Sequence, residues 1–497
     1  MQKSNPPLPT FAKGGHEGIT KYFSLTRYPL FVSVLMLFTV FCFLSTNAFA
    51  IDIKRSVLPS GLVILHSENH TLPIIMVTLI VKAGQVHEPT AGLANLTAEL
   101  LTEGTKNRKS TEISEEVEFI GASLDASAGN DYTTITLSVL KKDINKGFEL
   151  FSDILLNPIF PEGEIERKSE LIKGFLRQRE EDPSFLAERA LKKEVFGEHP
   201  YGRLIEGSVE TIDNIKREDL VQFHSNYFLP NNSILTIAGD LTSDELDALI
   251  KRYLGEWKKA VNYHPPLIPP VKGGTHTPAP ISRGDVLSPV AGEGKGKGIL
   301  SEQKKTKKIV KIDKDLTQAN IILGNIGISR DNPDYYAVSV MNYILGGGGF
   351  SSRLMQSIRD EMGLAYDVYS FFTAYKEEGL FQTGVQTKNE SANTAIDEIL
   401  KQIERIRKED VSDQELSDAK SYLTGSFPRR LDTNRKIADF FAAVEFYNLG
   451  LDYIKKYPDY INSVTKDDVL RVARKYLTHE NYVLVVVANQ KKAMLKY

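Results

Sequence analysis

The stretch "TIDNIKREDLVQFHSNYFLPNNSILTIAGD" (211 to 240) aligns without a gap with "YINSVTKDDVLRVARKYLTHENYVLVVVAN" (460 to 489). Each copy opens with acidic residues and apolar residues at helical spacing, and then enters a short run of β-branched and apolar residues. Both copies are therefore predicted to be a helix followed by a buried strand, which makes the chain an internal duplication. Identical residues at matched positions include Ile212 and Ile461, Asp219 and Asp468, Tyr227 and Tyr476, Asn232 and Asn481, and Leu235 and Leu484.

Each half also carries an earlier strand region, "PIIMVTLIVKAG" (73 to 84) in the first half and "QANIILGNIGI" (318 to 328) in the second. Long helical stretches follow both of these regions. A run of strands combined with segregated helices is typical of sheets that are covered by helices. The predicted fold class is α+β, with two homologous domains, each a mostly antiparallel sheet packed with helices.

A break in composition separates the two halves. Residues 265 to 298 contain seven prolines and seven glycines, and such a stretch cannot form a packed core. We therefore predict an N-terminal domain at 51–256, a flexible Pro/Gly/Lys-rich linker at 257–308 and a C-terminal domain at 309–497.

The first 50 residues have the pattern of a signal peptide. Basic residues precede the apolar run "PLFVSVLMLFTVFCFL" (29 to 44), and Ala48 and Ala50 then supply the A-x-A spacing of a cleavage site. We expect cleavage after Ala50, and an exported, periplasmic protein. The alternative is an uncleaved membrane anchor, although the apolar run is shorter than the roughly 20 residues that a spanning helix needs.

Composition and charge exclude several classes of function. The chain has 497 residues, 41% hydrophobic and 25% charged, with a formal net charge of -3, so we expect cored globular domains and no nucleic-acid partner. Cys42 is the only cysteine and lies inside the predicted signal peptide. The mature chain would therefore have no disulfide, no catalytic thiolate and no cysteine-ligated zinc.

Five stretches, spread in order over both halves, carry a family pattern: "ENHTLPIIMVTLIVKAGQVHEP" (68 to 89), "LLNPIFPEGEIER" (155 to 167), "HPYGRLIEGSVETI" (199 to 212), "NYFLPNNSILTIAGDL" (226 to 241) and "LGGGGFSSRLMQSIRDEMGLAYDVYS" (345 to 370). They closely resemble the pitrilysin/insulinase family of metallopeptidases, in particular its short processing-peptidase-like members. The resemblance covers nearly all of 52–256 and 309–497. It implies that each half is a peptidase-like α+β domain, and that two such chains pair around a chamber that holds an unfolded or extended peptide.

The zinc motif of that family is degenerate in this chain. In catalytic members, the helix after the first strand region carries H-x-x-E-H, in which two histidines bind zinc and the glutamate activates a water. The corresponding positions within "AGLANLTAELLTEGT" (91 to 105) hold Asn95, Leu96, Thr97, Ala98 and Glu99, and the third ligand position falls on Phe175. The resemblance therefore implies no cofactor in this chain, and zinc in a homologous partner subunit that carries H-x-x-E-H.

Two further patterns bear on the question of a metal site. His66, Glu68 and His70 in "HSENH" would share one face if the whole stretch were a strand, but solvated polar residues of a first hairpin are the stronger interpretation. Asn95 and Glu99 are interpreted as the polar stripe of a helix. The core side of that helix is predicted to consist of Leu93, Leu96, Leu100 and Leu101.

The second half carries the family's other site motif. "SIRDEMGLAYDVY" (357 to 369) resembles the segment in which an arginine and a tyrosine reach the zinc site of an opposing domain, and these match Arg359 and Tyr366. Such donors can stabilise the oxyanion of peptide hydrolysis. The alternative is that Arg359 only pairs with Asp360 and that Tyr366 is a strand core residue. "GGGG" (346 to 349) could shape a loop that contacts substrate, or be an ordinary strand-to-helix turn.

Three hypotheses for function follow from these patterns. The leading one is a zinc-less subunit of an exported heteromeric metallopeptidase, which supplies Arg359 and Tyr366 to the H-x-x-E-H site of a homologous partner. The second is a peptide-binding scaffold, or a chaperone-like chamber, with no hydrolytic role. A self-sufficient peptidase is the least favoured, because Ala98 and Phe175 replace the general base and a ligand.

Overall fold

The computed structural model describes residues 51–259, 307–478 and 480–497. The predicted signal peptide at 1–50, with Cys42, and most of the predicted linker at 257–308 lie outside these described residues. Ile53–Tyr497 forms one compact unit. Within the described ranges, no helix is both long enough and apolar enough to cross a membrane.

The first half contains a six-stranded sheet with the spatial order β1-β2-β6-β3-β5-β4. Neighbouring strands are antiparallel except for β2 and β6, which are parallel. The strands are β1 (Lys54–Val57), β2 (Val63–Glu68), β3 (Ile74–Val81), β4 (Ser123–Ala128), β5 (Thr133–Leu140) and β6 (Ser233–Gly239).

The second half contains a five-stranded sheet with the order β7-β11-β8-β10-β9. Again one pair, β7 and β11, is parallel, and the other neighbours are antiparallel. The strands are β7 (Lys308–Asp313), β8 (Gln318–Ile326), β9 (Val368–Thr373), β10 (Leu380–Lys388) and β11 (Val483–Ala488).

Helices make up much of the rest of both halves. The first half contains α1 (Leu93–Leu100), α2 (Ser110–Phe119), α3 (Ile144–Leu156), α4 (Glu162–Arg179), α5 (Pro183–Phe196), α6 (Val209–Asp213), α7 (Arg217–Tyr227) and α8 (Ser243–Tyr253). The second half contains α9 (Tyr335–Asn342), α10 (Ala392–Lys408), α11 (Asp413–Ser426), α12 (Asn434–Phe446), α13 (Tyr453–Asn462), α14 (Lys466–Tyr476) and α15 (Gln490–Ala493). Two segments, Tyr343–Gly347 and Met355–Glu361, are π-helical.

The duplicated stretches form the same elements at the same places. α7 leads into β6 and α14 leads into β11, and each of these strands lies between a parallel and an antiparallel neighbour. Both helices begin with a backbone N–H bonded to an aspartate three residues later, from Lys216 to Asp219 and from Thr465 to Asp468. The predicted helix–strand repeat and the α+β fold class are therefore confirmed.

The two halves exchange one helix each. α5 of the first half packs on β8 and β11, and α12 of the second half packs on β3 and β6. Leu191 and Val195 of α5 share a buried cluster with Ile322 and Val485, while Phe441 of α12 is fully buried. Each sheet is thus covered by a helix from the other half.

This exchange explains why β6 and β11 are buried along their whole lengths. A strand with one solvated face would alternate apolar and polar residues, whereas "SILTIAG" and "VLVVVA" are nearly continuous apolar runs. The limits of the predicted domains and linker stay a prediction.

Candidate functional site

Helix α1 stands where the family's zinc helix is expected. Its predicted core side is confirmed, since Leu93, Leu96, Leu100 and Leu101 are all buried. The amide of Asn95 donates a hydrogen bond to Glu99 Oε1 at 3.0 Å. Asn95 is itself only 7% exposed, so the side chain predicted to lie on a polar stripe is largely covered. The pairing between these two residues satisfies a polar group that burial would otherwise penalise.

Glu88 holds the beginning of α1 in place. Its two carboxylate oxygens accept hydrogen bonds from the backbone N–H groups of Gly92 (3.1 Å) and Ala94 (2.9 Å). Burial raises the pKa of Glu88 to about 8, although these N–H groups favour its charged form. The sequence interpretation did not assign a role to Glu88, because its partners are backbone groups that leave no residue pattern.

Cations of α4 neutralise the acidic side chains near α1. Lys168 Nζ lies 3.0 Å from Glu103 Oε1 and 3.8 Å from Glu99 Oε2, and Arg167 Nη2 lies 2.7 Å from Glu103 Oε2. Burial alone would raise the pKa of Glu103, but the hydrogen bonds from Ser110, Lys168 and Arg167 lower it overall. These carboxylates are therefore paired with protein cations.

The position predicted from the sequence for the third ligand carries an apolar ring. Phe175 on α4 is 45% exposed and its ring centroid lies 5.4 Å from Arg179 Cζ. Leu171, one turn earlier on the same helix, is also exposed. Neither side chain has an oxygen or nitrogen that could bind a cation. Across the part of the chain that the structure describes, no group of three or more His, Cys, Asp or Glu side chains is placed to hold a metal ion.

The "HSENH" stretch does not form a single polar face. His66 points into the buried side of β2, where Nε2 lies 2.9 Å from the carbonyl oxygen of Leu241. β2 ends at Glu68, and His70 beyond it contacts both Glu68 (2.8 Å) and Asp240 (2.5 Å). These two acids raise the pKa of the exposed His70, led by the hydrogen bond to Asp240. His66, Glu68 and His70 therefore do not share one face, because β2 ends at Glu68.

Arg359 and Tyr366 lie together on the surface of the second half. Arg359 belongs to the π-helical segment Met355–Glu361, and Tyr366 lies in the turn that leads to β9. Arg359 Cζ is 5.3 Å from the centroid of the Tyr366 ring, and the tyrosine is 86% exposed. The alternative for Tyr366, a core residue of a strand, is wrong because the side chain is neither buried nor in a strand. The alternative for Arg359, a pairing with Asp360, is present as a long ion pair with 3.9 Å between Nε and Oδ1.

Buried contacts fix the segment that carries Arg359. Arg353 is buried and forms a two-pronged ion pair with Glu415 of α11, at 2.6 and 3.0 Å. Burial alone would raise the pKa of Glu415, but Arg353 and the Ser412 backbone hold it at about 2. Ser357 donates a hydrogen bond to Glu398 of α10 at 2.5 Å. π-Helical turns are rare and often occur at functional sites, and this one is anchored by two residues on the N-terminal side of the arginine.

The glycine-rich stretch brings one more aromatic ring to this surface. Phe350 follows "GGGG" (346 to 349), is 67% exposed, and its ring centroid lies 4.5 Å from Arg359 Cζ. The sequence interpretation considered the glycines but not Phe350. The signal that could have revealed it is an aromatic residue directly after a glycine run, in the same motif as the arginine.

Two family models match the chain. Residues 63–208 match the model described as Insulinase (Peptidase family M16), and residues 214–423 match the model described as Peptidase M16 inactive domain. The chain belongs to the M16 peptidase family. The resemblance to the pitrilysin/insulinase family that the motifs indicated is therefore confirmed.

Relatives within the M16 family match along most of their length. A protein of Helicobacter pylori named "Non-peptidase homolog YmxG" is 27% identical over 86% of this chain and 92% of its own length. A Bacillus subtilis protein named "Uncharacterized zinc protease YmxG" is 22% identical over 88% of this chain and 98% of its own length. One of these relatives is thus named as a non-peptidase and the other as a protease.

A solved structure of the M16 family shares the fold. The peptidase M16 inactive domain from Pseudomonas fluorescens superposes with a TM-score of 0.75 at 27% identity, and the match covers 88% of this chain and 98% of that one. The chain is thus an M16 homologue with two sheet-and-helix halves. That Asn95, Ala98 and Glu99 stand at the positions of the H-x-x-E-H motif is still a prediction from the sequence.

Proposed function

We propose that this M16 homologue is the zinc-less subunit of an exported heteromeric metalloendopeptidase, supplying Arg359 and Tyr366 to the H-x-x-E-H site of a homologous partner. The observation that carries the proposal is the contrast between the two halves. Around α1 the polar groups are paired with one another, whereas Tyr366 is almost fully exposed beside the Arg359 guanidinium.

The chemistry proposed for this pair is hydrogen-bond donation to the substrate. Among the described residues, the guanidinium of Arg359 makes no hydrogen bond, so its N–H groups are available to an incoming carbonyl. The Tyr366 hydroxyl is a second donor on the same surface. Two fixed donors stabilise the negative charge that develops on a peptide carbonyl under attack, and such donors contribute roughly 3 to 4 kcal/mol each in known enzymes. In the proposed pair, the partner's zinc supplies the activated water.

The substrate and the compartment belong to the same proposal. An unfolded or extended peptide fits a chamber between two M16 chains, and the leader-like sequence at 1–50 supports export to the periplasm. An assembly of this kind buries at least about 2,000 Å² between the two chains.

A second candidate function is peptide binding without hydrolysis. It is favoured by the H. pylori relative, whose name describes a non-peptidase homologue. In that case Arg359, Tyr366 and Phe350 would hold a peptide by polar and aromatic contacts, with no partner zinc involved.

The test uses the chain and an H-x-x-E-H homologue encoded in the same genome, expressed together and separately. The chain alone should hold no stoichiometric zinc and cleave no peptide. In the assembled pair, Tyr366→Phe should lower kcat for a quenched fluorescent peptide by roughly ten- to a thousandfold, with little change in affinity. Arg359→Lys should not restore activity, because a flexible ammonium cannot replace the planar guanidinium.

Three outcomes would contradict the proposal. One tightly held zinc in the isolated chain would show a metal site of its own. Light scattering that finds only separated monomers in the co-expressed sample would contradict the proposed assembly with a partner subunit. Unchanged kcat in both variants, with assembly and melting temperature intact, would leave peptide binding as the better function.

A further inference from the structure

Phe350 is an exposed aromatic residue whose ring faces a cation. It lies in the short turn Gly349–Ser351, and its centroid is 4.5 Å from Arg359 Cζ, closer than that of Tyr366 at 5.3 Å. A guanidinium within about 6 Å of an aromatic centroid is attracted to the face of the ring. Arg359 therefore has two aromatic neighbours within that range.

Among the described residues, the guanidinium lies over two rings and forms one long ion pair. Its ion-pair partner Asp360 is 3.9 Å away and half exposed, a geometry that contributes little in water. Among the described residues, no hydrogen bond holds the guanidinium. Stacking on rings uses the flat faces of the group and leaves its N–H edges free, which is what a donor to a substrate carbonyl requires.

The backbone around Phe350 is built to keep the ring there. A side chain at Gly346 would place its Cβ 2.6 Å from Ser370 Oγ, so this position must lack one for the chain to pass β9. Gly349 has a φ of +58°, which favours glycine. Ser352 Oγ then donates to the Gly349 carbonyl at 2.7 Å and closes the turn around Phe350. The glycine run thus leads directly into the turn whose ring lies over Arg359.

We propose that Phe350 is a positioning residue, which holds the Arg359 guanidinium with its N–H edges directed outward. This inference rests on the proposed function of Arg359 as a substrate donor. It assigns Phe350 a role that acts through Arg359 and not through direct contact with the peptide.

The contact itself is tested in the isolated chain. The Nε–H resonance of Arg359, assigned by its disappearance in Arg359→Lys, should be shifted upfield by the ring. Phe350→Leu keeps an apolar side chain without a π face and should remove most of that shift, whereas Phe350→Tyr should retain it. An unchanged resonance in Phe350→Leu would overturn the proposal.

The consequence is tested in the assembled pair. Phe350→Leu should lower kcat by roughly two- to thirtyfold, the range that a cation–π contact supports, with KM nearly unchanged. Phe350→Tyr should restore kcat. In an Arg359→Ala background, Phe350→Leu should have no further effect, because a positioning residue has nothing left to position. Phe119→Ala, which removes another highly exposed ring in the first half, serves as the control and should leave kcat unchanged.

Other results would contradict the positioning role. A rise in KM without a fall in kcat would make Phe350 a direct peptide contact, and equal effects in the wild-type and Arg359→Ala backgrounds would make it independent of Arg359. If Arg359→Lys and Tyr366→Phe leave kcat unchanged, the proposed function fails, and the Arg359 resonance alone decides whether Phe350 holds the guanidinium.

Discussion

Among the described histidines, His224 on α7 and His87 after β3 are the two whose pKa the fold lowers most. His224 stacks on Phe228, with ring centroids 4.6 Å apart, and its Nε2 lies 2.9 Å from the Leu155 carbonyl oxygen. His87 packs edge-on to Tyr227 at 5.5 Å. Burial lowers the pKa of each residue to about 4. Both side chains are therefore neutral in the folded protein at pH values where an unfolded histidine is charged.

This arrangement predicts a loss of stability in mild acid. Between about pH 6.5 and pH 4, His224 and His87 bind protons in the unfolded chain but stay neutral in the folded protein. The unfolding free energy should therefore fall as the pH falls through this range. His224→Gln keeps a donor for the Leu155 carbonyl and should remove roughly 2 to 3 kcal/mol of that loss. Urea unfolding between pH 4.5 and 7.5 measures it.

The control for this prediction is His70→Gln. His70 is exposed, and its two carboxylate neighbours raise its pKa, so its contribution is present in acid and is lost as the pH rises. Its substitution should not flatten the acid decline. An identical slope in wild type and His224→Gln would mean that this histidine accepts a proton without unfolding.

At the scale of elements, α5 and α12 connect the two halves of the chain. Each lies on the sheet of the opposite half, and α12 is also tied there by side chains. Thr78 Oγ1 of β3 donates to Asp439 at 2.7 Å, and Arg55 of β1 donates to Glu445 at 2.8 to 3.1 Å. The apolar contacts under α12 should therefore contribute to the stability of both halves at once.

Phe441→Ala tests this contribution. The side chain belongs to α12 and is fully buried, so its removal leaves a cavity. The expected cost is about 3 to 5 kcal/mol of unfolding free energy, measured by denaturant unfolding. Arg435→Ala removes an exposed side chain from the same helix and should change the stability by less than about 0.5 kcal/mol. A Phe441→Ala cost as small as that of the control would show that α12 is not packed as the structure has it.

At the scale of the whole molecule, a buried carboxylate joins the two halves near their hairpin turns. Asp131, between β4 and β5, accepts hydrogen bonds from the hydroxyls of Tyr201 and Tyr447 and from the backbone N–H of Lys376, between β9 and β10. Burial raises the pKa of Asp131, and these donors counter part of that shift. His199 Nε2 adds a contact of 3.1 Å to Glu377. The two halves are thus joined by hydrogen bonds as well as by apolar packing.

The two halves should therefore not be stable apart. Residues 51–259 expressed alone lack α12 over β3 and β6 and leave the carboxylate of Asp131 without its partners from the second half. We expect that fragment to aggregate or to bind a hydrophobic dye, and co-expression with residues 307–497 to recover a soluble complex. Circular dichroism and size-exclusion chromatography measure the result. A fragment that unfolds cooperatively on its own would contradict the interdependence of the halves.

The sequence alone determined the repeat, the helix–strand order and the chemical identity of the site positions. The repeat and the element order follow from the hydrophobic period, which is helical over α7 and α14 and typical of buried strands over β6 and β11. The residue types at the predicted zinc positions are read directly: Asn95 stands where the family motif has a histidine, and Phe175 stands where it has a glutamate. Arg359 and Tyr366 were found by the same means, since the tyrosine stands seven positions after the arginine in one motif. Their role is still a prediction.

Only the tertiary structure decided how distant segments complete one another. The exchange of α5 and α12, the pairing of Glu103 with Lys168 and the burial of Asn95 each join residues that belong to different elements. The ring of Phe350 lies over Arg359, and the glycine run before it passes close to β9. Period and propensity describe a residue's own neighbours in the chain, whereas these contacts depend on which surfaces are left to be covered once the sheets have formed.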